Sequence, residues 1–310
     1  MRSCSFRWSL LVGSLACALM LPLLVPAVPQ EAFEDCILVD SAPAEARKVS
    51  AISYQLPTDL VYQQQIYPEA NLMRGKLLLI DREHPLPNEL LPPNTVSIAQ
   101  YGAGMVPVRS LKLRSGYETI DALKLLFAQL RTSGADGLAI QQATVSTAQQ
   151  RQAMILYTRE LMQNHPPEQA VSQAAAALEW PGTGSLLQEY TVEIHAPDGL
   201  PLEESAEGQT FLQLCWRYGF IREAFDKPYR FRYVGKAHAT AMTYLDLDFR
   251  RYLDWLHQKK RIAVSAGGRL QYLILCEPVL NGYATFSLPE GAKVEVSMDN
   301  TGYALAACTF

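Results

Sequence analysis

Lys227-Pro228-Tyr229-Arg230-Phe231-Arg232-Tyr233-Val234-Gly235 is the stretch on which the reading of this 310-residue chain turns. Phe231 to Val234 has the aromatic and β-branched character of a short strand. Three cations, Lys227, Arg230 and Arg232, crowd the same few residues. A lysine that stays charged cannot take a proton from water, and a guanidinium has no lone pair to offer a metal. Cations in this density suit ion pairing or the binding of an anion. Two upstream blocks belong with it: Gln142 to Ser146 with Gln150, and Pro181-Gly182-Thr183-Gly184-Ser185-Leu186-Leu187-Gln188-Glu189-Tyr190-Thr191-Val192-Glu193-Ile194.

Together these blocks resemble the VanY-type D-alanyl-D-alanine carboxypeptidases, a group of hedgehog-like zinc metallopeptidases. The closing motif of that family reads Glu-Pro-Trp-His-Phe-Arg-Tyr-Val-Gly. Its Glu, the general base, aligns with Lys227, and its zinc-binding His aligns with Arg230. In the family's Pro-Gly-Thr-Ser-Glu-His-Gln-Thr-Gly-Leu-Ala-x-Asp-Ile motif the His and Asp ligands fall on Leu186 and Glu193. The Ser-Gly-Tyr-Arg-Ser motif, whose Arg holds the substrate's terminal carboxylate, falls on Gln142 to Ser146 and leaves Val145 at the Arg position. The entry segment is matched by Leu77 to Asp81 and Leu86 to Pro92, and the helix ending Tyr-Gly-Phe-Ile by Phe211 to Ile221. The resemblance spans roughly Lys76 to Leu256. Only Arg222 to Asp226 separate Ile221 from Lys227, where the family carries a longer loop.

The resemblance implies an α+β fold: a VanY/hedgehog-like core with a small antiparallel sheet flanked by helices, plus a small C-terminal all-β segment. It also implies a pseudoenzyme, because the zinc of the family meets Leu186, Glu193 and Arg230 here, and no zinc is expected. Glu193 and Arg230 then face each other across the vacated position as an ion pair. The former cleft, marked by Val145, Ser146, Gln150, Leu186, Glu193, Lys227, Arg230 and Arg232, becomes a candidate surface for a peptidoglycan stem peptide or an envelope protein. The alternative is an active carboxypeptidase with relocated ligands. Glu193 and His195 share a strand face and supply two donors, and His238 is the candidate third. His84, His165 and His257 carry no motif.

Export is expected. Arg2 and Arg7 precede an apolar run from Leu10 to Val28, which reads as a signal peptide or an uncleaved membrane anchor over residues 1–28. A linker or ordered arm is expected over 29–75, the carboxypeptidase-like domain over 76–258 and a small β domain over 262–310. Net charge is −4, which gives no basic field for nucleic acid, and membrane contact is left to the N-terminal segment. Cys36, Cys215, Cys276 and Cys308 lack metal-ligand spacing. Cys276 with Cys308 is the candidate disulfide, with free buried thiols as the alternative.

Periodicity predicts a strand at Lys76–Ile80 and helices at Tyr117–Thr132, Ala148–Met162, Glu168–Leu178, Gln209–Tyr218 and Thr240–Gln258. Strands are predicted at Leu138–Ile140, Thr191–His195 and Phe231–Val234. About four more are expected after Ile262, with turns at Gly267-Gly268, Asn281-Gly282, Gly291 and Asn300 to Gly302. No Gly-x-Ser-x-Gly elbow or His-Glu-x-x-His helix offers a second catalytic class.

Overall fold

A computed structural model describes residues 37–38, 50–86, 93–197, 199–224 and 226–310. The leader, Cys36 and the Pro87–Pro92 part of the entry segment lie outside the described residues. The N-terminal part holds strands β1 (Ile37–Leu38), β2 (Ser50–Ser53) and β3 (Tyr62–Pro68), then helix α1 (Glu69–Leu72). There follow β4 (Thr95–Ser97), α2 (Ile98–Tyr101), β5 (Arg114–Gly116), α3 (Tyr117–Thr132), β6 (Ala139–Gln142), α4 (Thr147–Leu161) and α5 (Pro167–Ala177). Next come β7 (Thr191–His195), α6 (Ala206–Leu214), β8 (Phe220–Arg222), β9 (Arg230–Tyr233), α7 (Lys236–Leu245) and α8 (Phe249–Lys259). The chain closes with β10 (Arg261–Ala266), β11 (Arg269–Pro278), β12 (Tyr283–Pro289), β13 (Lys293–Met298) and β14 (Tyr303–Thr309). The architecture is α+β, built on antiparallel sheets.

The sheet that positions the site runs β6-β7-β9-β8. Helix α3 places Ile120, Leu123, Leu126, Phe127 and Leu130 on one buried stripe and ends before Gly134, whose φ of 73° lets the chain turn. That stripe packs with Ile140, Val192, Ile194 and Phe231 of the sheet and with Phe211 of α6. Side chains alternate along a strand, so the opposite sheet face carries Thr191 and Glu193 of β7 and Arg230 and Arg232 of β9. The register sets Glu193 directly across from Arg230, and Thr191 across from Arg232.

The second large sheet, β1-β2-β10-β11-β14-β13, is covered on both faces. Ile262, Val264, Ile274, Cys276, Leu305 and Ala307 pack against α7 and α8. Leu273, Leu275, Ala304, Ala306 and Cys308 pack against Phe286 and Leu288 of β12, which leaves this sheet to pair with β3. The boundary placed between residues 258 and 262 therefore separates no cores, because the helices and the C-terminal strands share one. Within the 29–75 arm, the described residues 50–75 are ordered into the sheets through β2 against β10 and β3 against β12.

Other expectations need correction. Five strands, β10 to β14, occupy Arg261 to Thr309, where about four were expected. The single helix over 240–258 is two helices, broken where Asp246 adopts φ 53°, and Asp248 caps α8 by accepting from the Arg251 N–H. Lys76–Ile80 joins no sheet among the described residues. Its Leu79 N–H donates to the Asp299 carbonyl at 2.9 Å, and its carbonyls at Lys76 and Leu78 accept from the Arg232 side chain. Cys276 and Cys308 sit on opposite faces of their sheet, opposite Leu305 and Leu273 respectively, so a disulfide between them is geometrically excluded. Both thiols are free and buried.

His257 does more than end a helix. Its Nε2 lies 2.5 Å from Oδ2 of the fully buried Asp299, and its ring stacks on Tyr303. Asp299 also accepts from the Thr301 N–H and hydroxyl, both at 2.8 Å. Asn300 donates to the Leu79 carbonyl at 3.1 Å. This turn thus pins the segment carrying Ile80 to Arg82. Burial pushes the Asp299 carboxyl pKa up, but the hydrogen bonds from His257 and Thr301 outweigh it and hold it below the usual range. A depressed carboxylate contributes stability above its unfolded pKa and loses it as pH falls through the folded one. Denaturant unfolding should show stability dropping below about pH 4. Asp299→Asn should cost about 1–3 kcal/mol at pH 7 and flatten that acid limb.

Candidate functional site

A cleft of about 780 Å³ opens beside the polar face of the β6-β7-β9-β8 sheet. Its walls are the start of α4, the end of α5, the loop from Leu178 to Leu186, the Ile80–Arg82 segment and the Asp226–Arg230 turn. Gly182 and Gly184 have φ of 92° and 96°, values that let the loop double back before a 3₁₀ turn over Ser185–Leu187. That turn buries Leu186 in the wall. Gln150 clamps the loop with both ends of its amide. Nε2 donates to the Thr183 carbonyl at 2.7 Å, and Oε1 accepts from the Gly182 N–H at 2.9 Å.

At the floor, Glu193 and Arg230 meet as the sequence reading has it. Arg230 Nη2 and Nε donate to Glu193 Oε1 at 2.8 and 3.1 Å. A third participant was not anticipated. Arg230 Nη1 donates to Glu179 Oε1, and Lys227 Nζ reaches the same oxygen at 2.5 Å. Burial alone would lower the Arg230 pKa, but the charges of Glu179, Glu223 and Glu193 overcome it and raise it. The Glu179 carboxylate has room because residue 184 is glycine: a Cβ there would lie 2.2 Å from Glu179 Oε2.

The remaining predicted residues divide. Val145, Gln150, Leu186, Lys227 and Arg230 line the cleft. Ser146 lines an adjoining apolar cavity of about 300 Å³ that also touches Val145, and its hydroxyl is engaged in capping α4 through the Gln149 N–H. Arg232 lines neither cavity, and the positive charge it was expected to add to the cleft is absent from the lining. Arg232 is fully buried. Its Nε donates to the Lys76 carbonyl at 2.8 Å, and Nη2 to the Leu78 carbonyl at 2.7 Å and Gln188 Oε1 at 2.5 Å. Its guanidinium lies 4.4 Å from the Phe249 ring centre, and Nη1 is 3.6 Å from Glu223 Oε1. Burial pulls its pKa down to about 10, and it stays charged at neutral pH.

These donors do not fit zinc. Leu186 offers no lone pair, Arg230 repels a cation, and Glu193 already accepts from the guanidinium. The relocated set is no better assembled. His195 stacks on Tyr229 with ring centres 4.2 Å apart, and burial lowers its pKa. His238 bonds the Tyr252 hydroxyl at 2.9 Å in the helix-covered core, where burial drives its pKa down to about 3. Among the described residues, Asp81, Glu83 and His84 are the one trio of such side chains close enough to share an ion, and Arg250 already pairs with both acids.

No family model matches the chain. A D-alanyl-D-alanine carboxypeptidase of Enterococcus faecium is 24% identical over 280 residues, spanning 84% of this chain and 82% of that protein. Among solved structures, the vancomycin-resistance D,D-dipeptidase VanXYg, in complex with a D-Ala-D-Ala phosphinate analogue, matches with a TM-score of 0.65. The match covers 81% of this chain and all of VanXYg at 15% identity, a likeness of fold. VanYB in complex with D-alanine-D-alanine is 23% identical over 58% of this chain, with a TM-score of 0.45. The expected α+β fold with small antiparallel sheets is the observed one, and the VanXYg match is a likeness of that fold.

Replacing Arg232 by Met would leave the Lys76 and Leu78 carbonyls and Gln188 without their donor, and Glu223 without a nearby cation. The substitution should destabilise the protein by about 3–5 kcal/mol, read as a lowered denaturant midpoint.

Proposed function

We propose that this chain is an exported, non-hydrolytic protein with a D-alanyl-D-alanine carboxypeptidase-like fold, whose cleft binds cell-wall stem peptide. The observation that carries the reading is the Arg230–Glu193 pair, standing where the resemblance puts two of the three zinc ligands. Leu186 takes the third position. The general-base position is Lys227, whose ammonium pairs with Glu179. Without a metal to polarise the amide carbonyl or a base to activate water, the cleft retains recognition and loses hydrolysis.

The lining suits such a peptide. Ala153, Ala176, Ala177 and Trp180 give an apolar wall for alanyl methyl groups, and Lys227 gives a cation for a terminal carboxylate. The apolar run at Leu10–Val28 supports export. Among the described residues no helix is long and apolar enough to cross a membrane.

The similarity to an Enterococcus faecium carboxypeptidase favours a second reading, an active enzyme that trims D-alanine with replacement ligands. Titration calorimetry of the full chain with a stem pentapeptide ending in D-Ala-D-Ala separates the two. Saturable binding without D-alanine release in zinc-supplemented buffer is expected, and zinc-dependent release would sink the non-hydrolytic reading. Lys227→Glu with Arg230→His should also fail to release D-alanine, because Leu186 still withholds a ligand.

A further inference from the structure

Glu179 occupies the cleft floor in a way that a structural ion pair does not require. Arg230 already has a strand partner in Glu193, which engages two of its nitrogens. Glu179 arrives from outside the sheet, just past the end of α5, and spreads one oxygen over both Lys227 and Arg230. Lys227 lies at the cleft face with its side chain 35% exposed, whereas that of Arg230 is only 9% exposed. A carboxylate bridging an exposed ammonium and a buried guanidinium has the geometry of a bound ligand.

We propose that Lys227 and Arg230 form a receptor for a ligand's carboxylate, and that Glu179 fills it as an internal stand-in until a ligand exchanges with it. Two further features support exchange. The carboxylate rests in the gap above Gly184, so a space shaped for a carboxylate exists in the floor. The helical hairpin that delivers Glu179 is lightly anchored: α4 has no buried side chain, and α5 buries only Ala170 and Ala174. An element with so little burial shifts at low cost. The local charges balance while Glu179 is in place, with Lys227, Arg230 and Arg232 against Glu179, Glu193 and Glu223. Withdrawing Glu179 leaves the cluster of Lys227, Arg230 and Glu193 with one net positive charge, which an entering carboxylate neutralises, while Asp81, Arg82 and Asp226 line the cleft around it.

The inference rests on the cleft being the binding site, and it adds the ligand's chemical class and its internal competitor. A receptor filled nine-tenths of the time by its own side chain binds an outside ligand about tenfold more weakly than the open receptor. The test titrates the full chain with sodium acetate at constant ionic strength, following the Arg230 Nε–H resonance, with acetamide as the uncharged control. Glu179→Gln should bind acetate at least tenfold more tightly than the unsubstituted protein, and acetamide should bind neither. Adding Lys227→Met should remove most of the gain. Glu179→Asp, which withdraws the carboxylate by one methylene, should show a smaller gain and serves if the Gln variant misfolds. Folded variants with unchanged acetate affinity would overturn the receptor. A gain for acetate with no binding of the D-Ala-D-Ala peptide would uphold the receptor and remove the peptide reading. Peptide binding that ignores Glu179→Gln would keep the peptide reading and overturn the receptor.

Discussion

A guanidinium buried between two carboxylates organises this molecule's cleft. Arg230 reaches Glu193 on the neighbouring strand and Glu179 on the loop after α5, so one side chain ties sheet to wall. Lys227 joins the same oxygen of Glu179, and the two cations together carry the charge of a divalent metal. A metal centre and this network solve the same problem, which is to hold acidic side chains together in a partly buried floor. The difference lies in chemistry. A metal leaves an open coordination position that can activate water, whereas a guanidinium is saturated by its hydrogen bonds and activates nothing.

Behind that floor a second arginine has a different task. Arg232 lies on the same sheet face two residues on, yet it spends its hydrogen bonds on the Lys76 and Leu78 carbonyls and on Gln188. It acts as the ladder partner that the Lys76–Ile80 segment lacks. The same segment is held from its other side by Asp299 and Asn300. The C-terminal strands thereby fix one wall of the cleft. This gives the Ser297 to Tyr303 stretch a structural role that its sequence alone did not reveal.

Much of this was legible in the residues. The apolar stripe of α3 and the alternation in Thr191–His195 and Phe231–Val234 located the core sheet, because periodicity is set by which face is buried. The resemblance, rather than the alternation, set Glu193 and Arg230 at facing ligand positions and made their pairing readable. The reading failed at Arg232, since alternation says which face a side chain takes and nothing about what covers that face. Lys76–Ile80 misled for a related reason: an apolar run reports burial, not a ladder partner. Helices α7 and α8 read as one because the left-handed turn at Asp246 interrupts the backbone without interrupting the amphipathic pattern. Glu179 was invisible. Its role arises when the Gly182–Gly184 turn brings it beside a residue 51 positions away, and a glycine gap gives no sign of which side chain will fill it.

The central claim is that a cationic pair has replaced the metal and its chemistry. The most direct measurement is zinc bound per chain after loading and desalting, with an active carboxypeptidase of the same fold treated in parallel. Far less than one zinc per chain is expected where the control retains one. Stoichiometric zinc held by this chain would contradict the claim, and would mean that other side chains have rebuilt the centre.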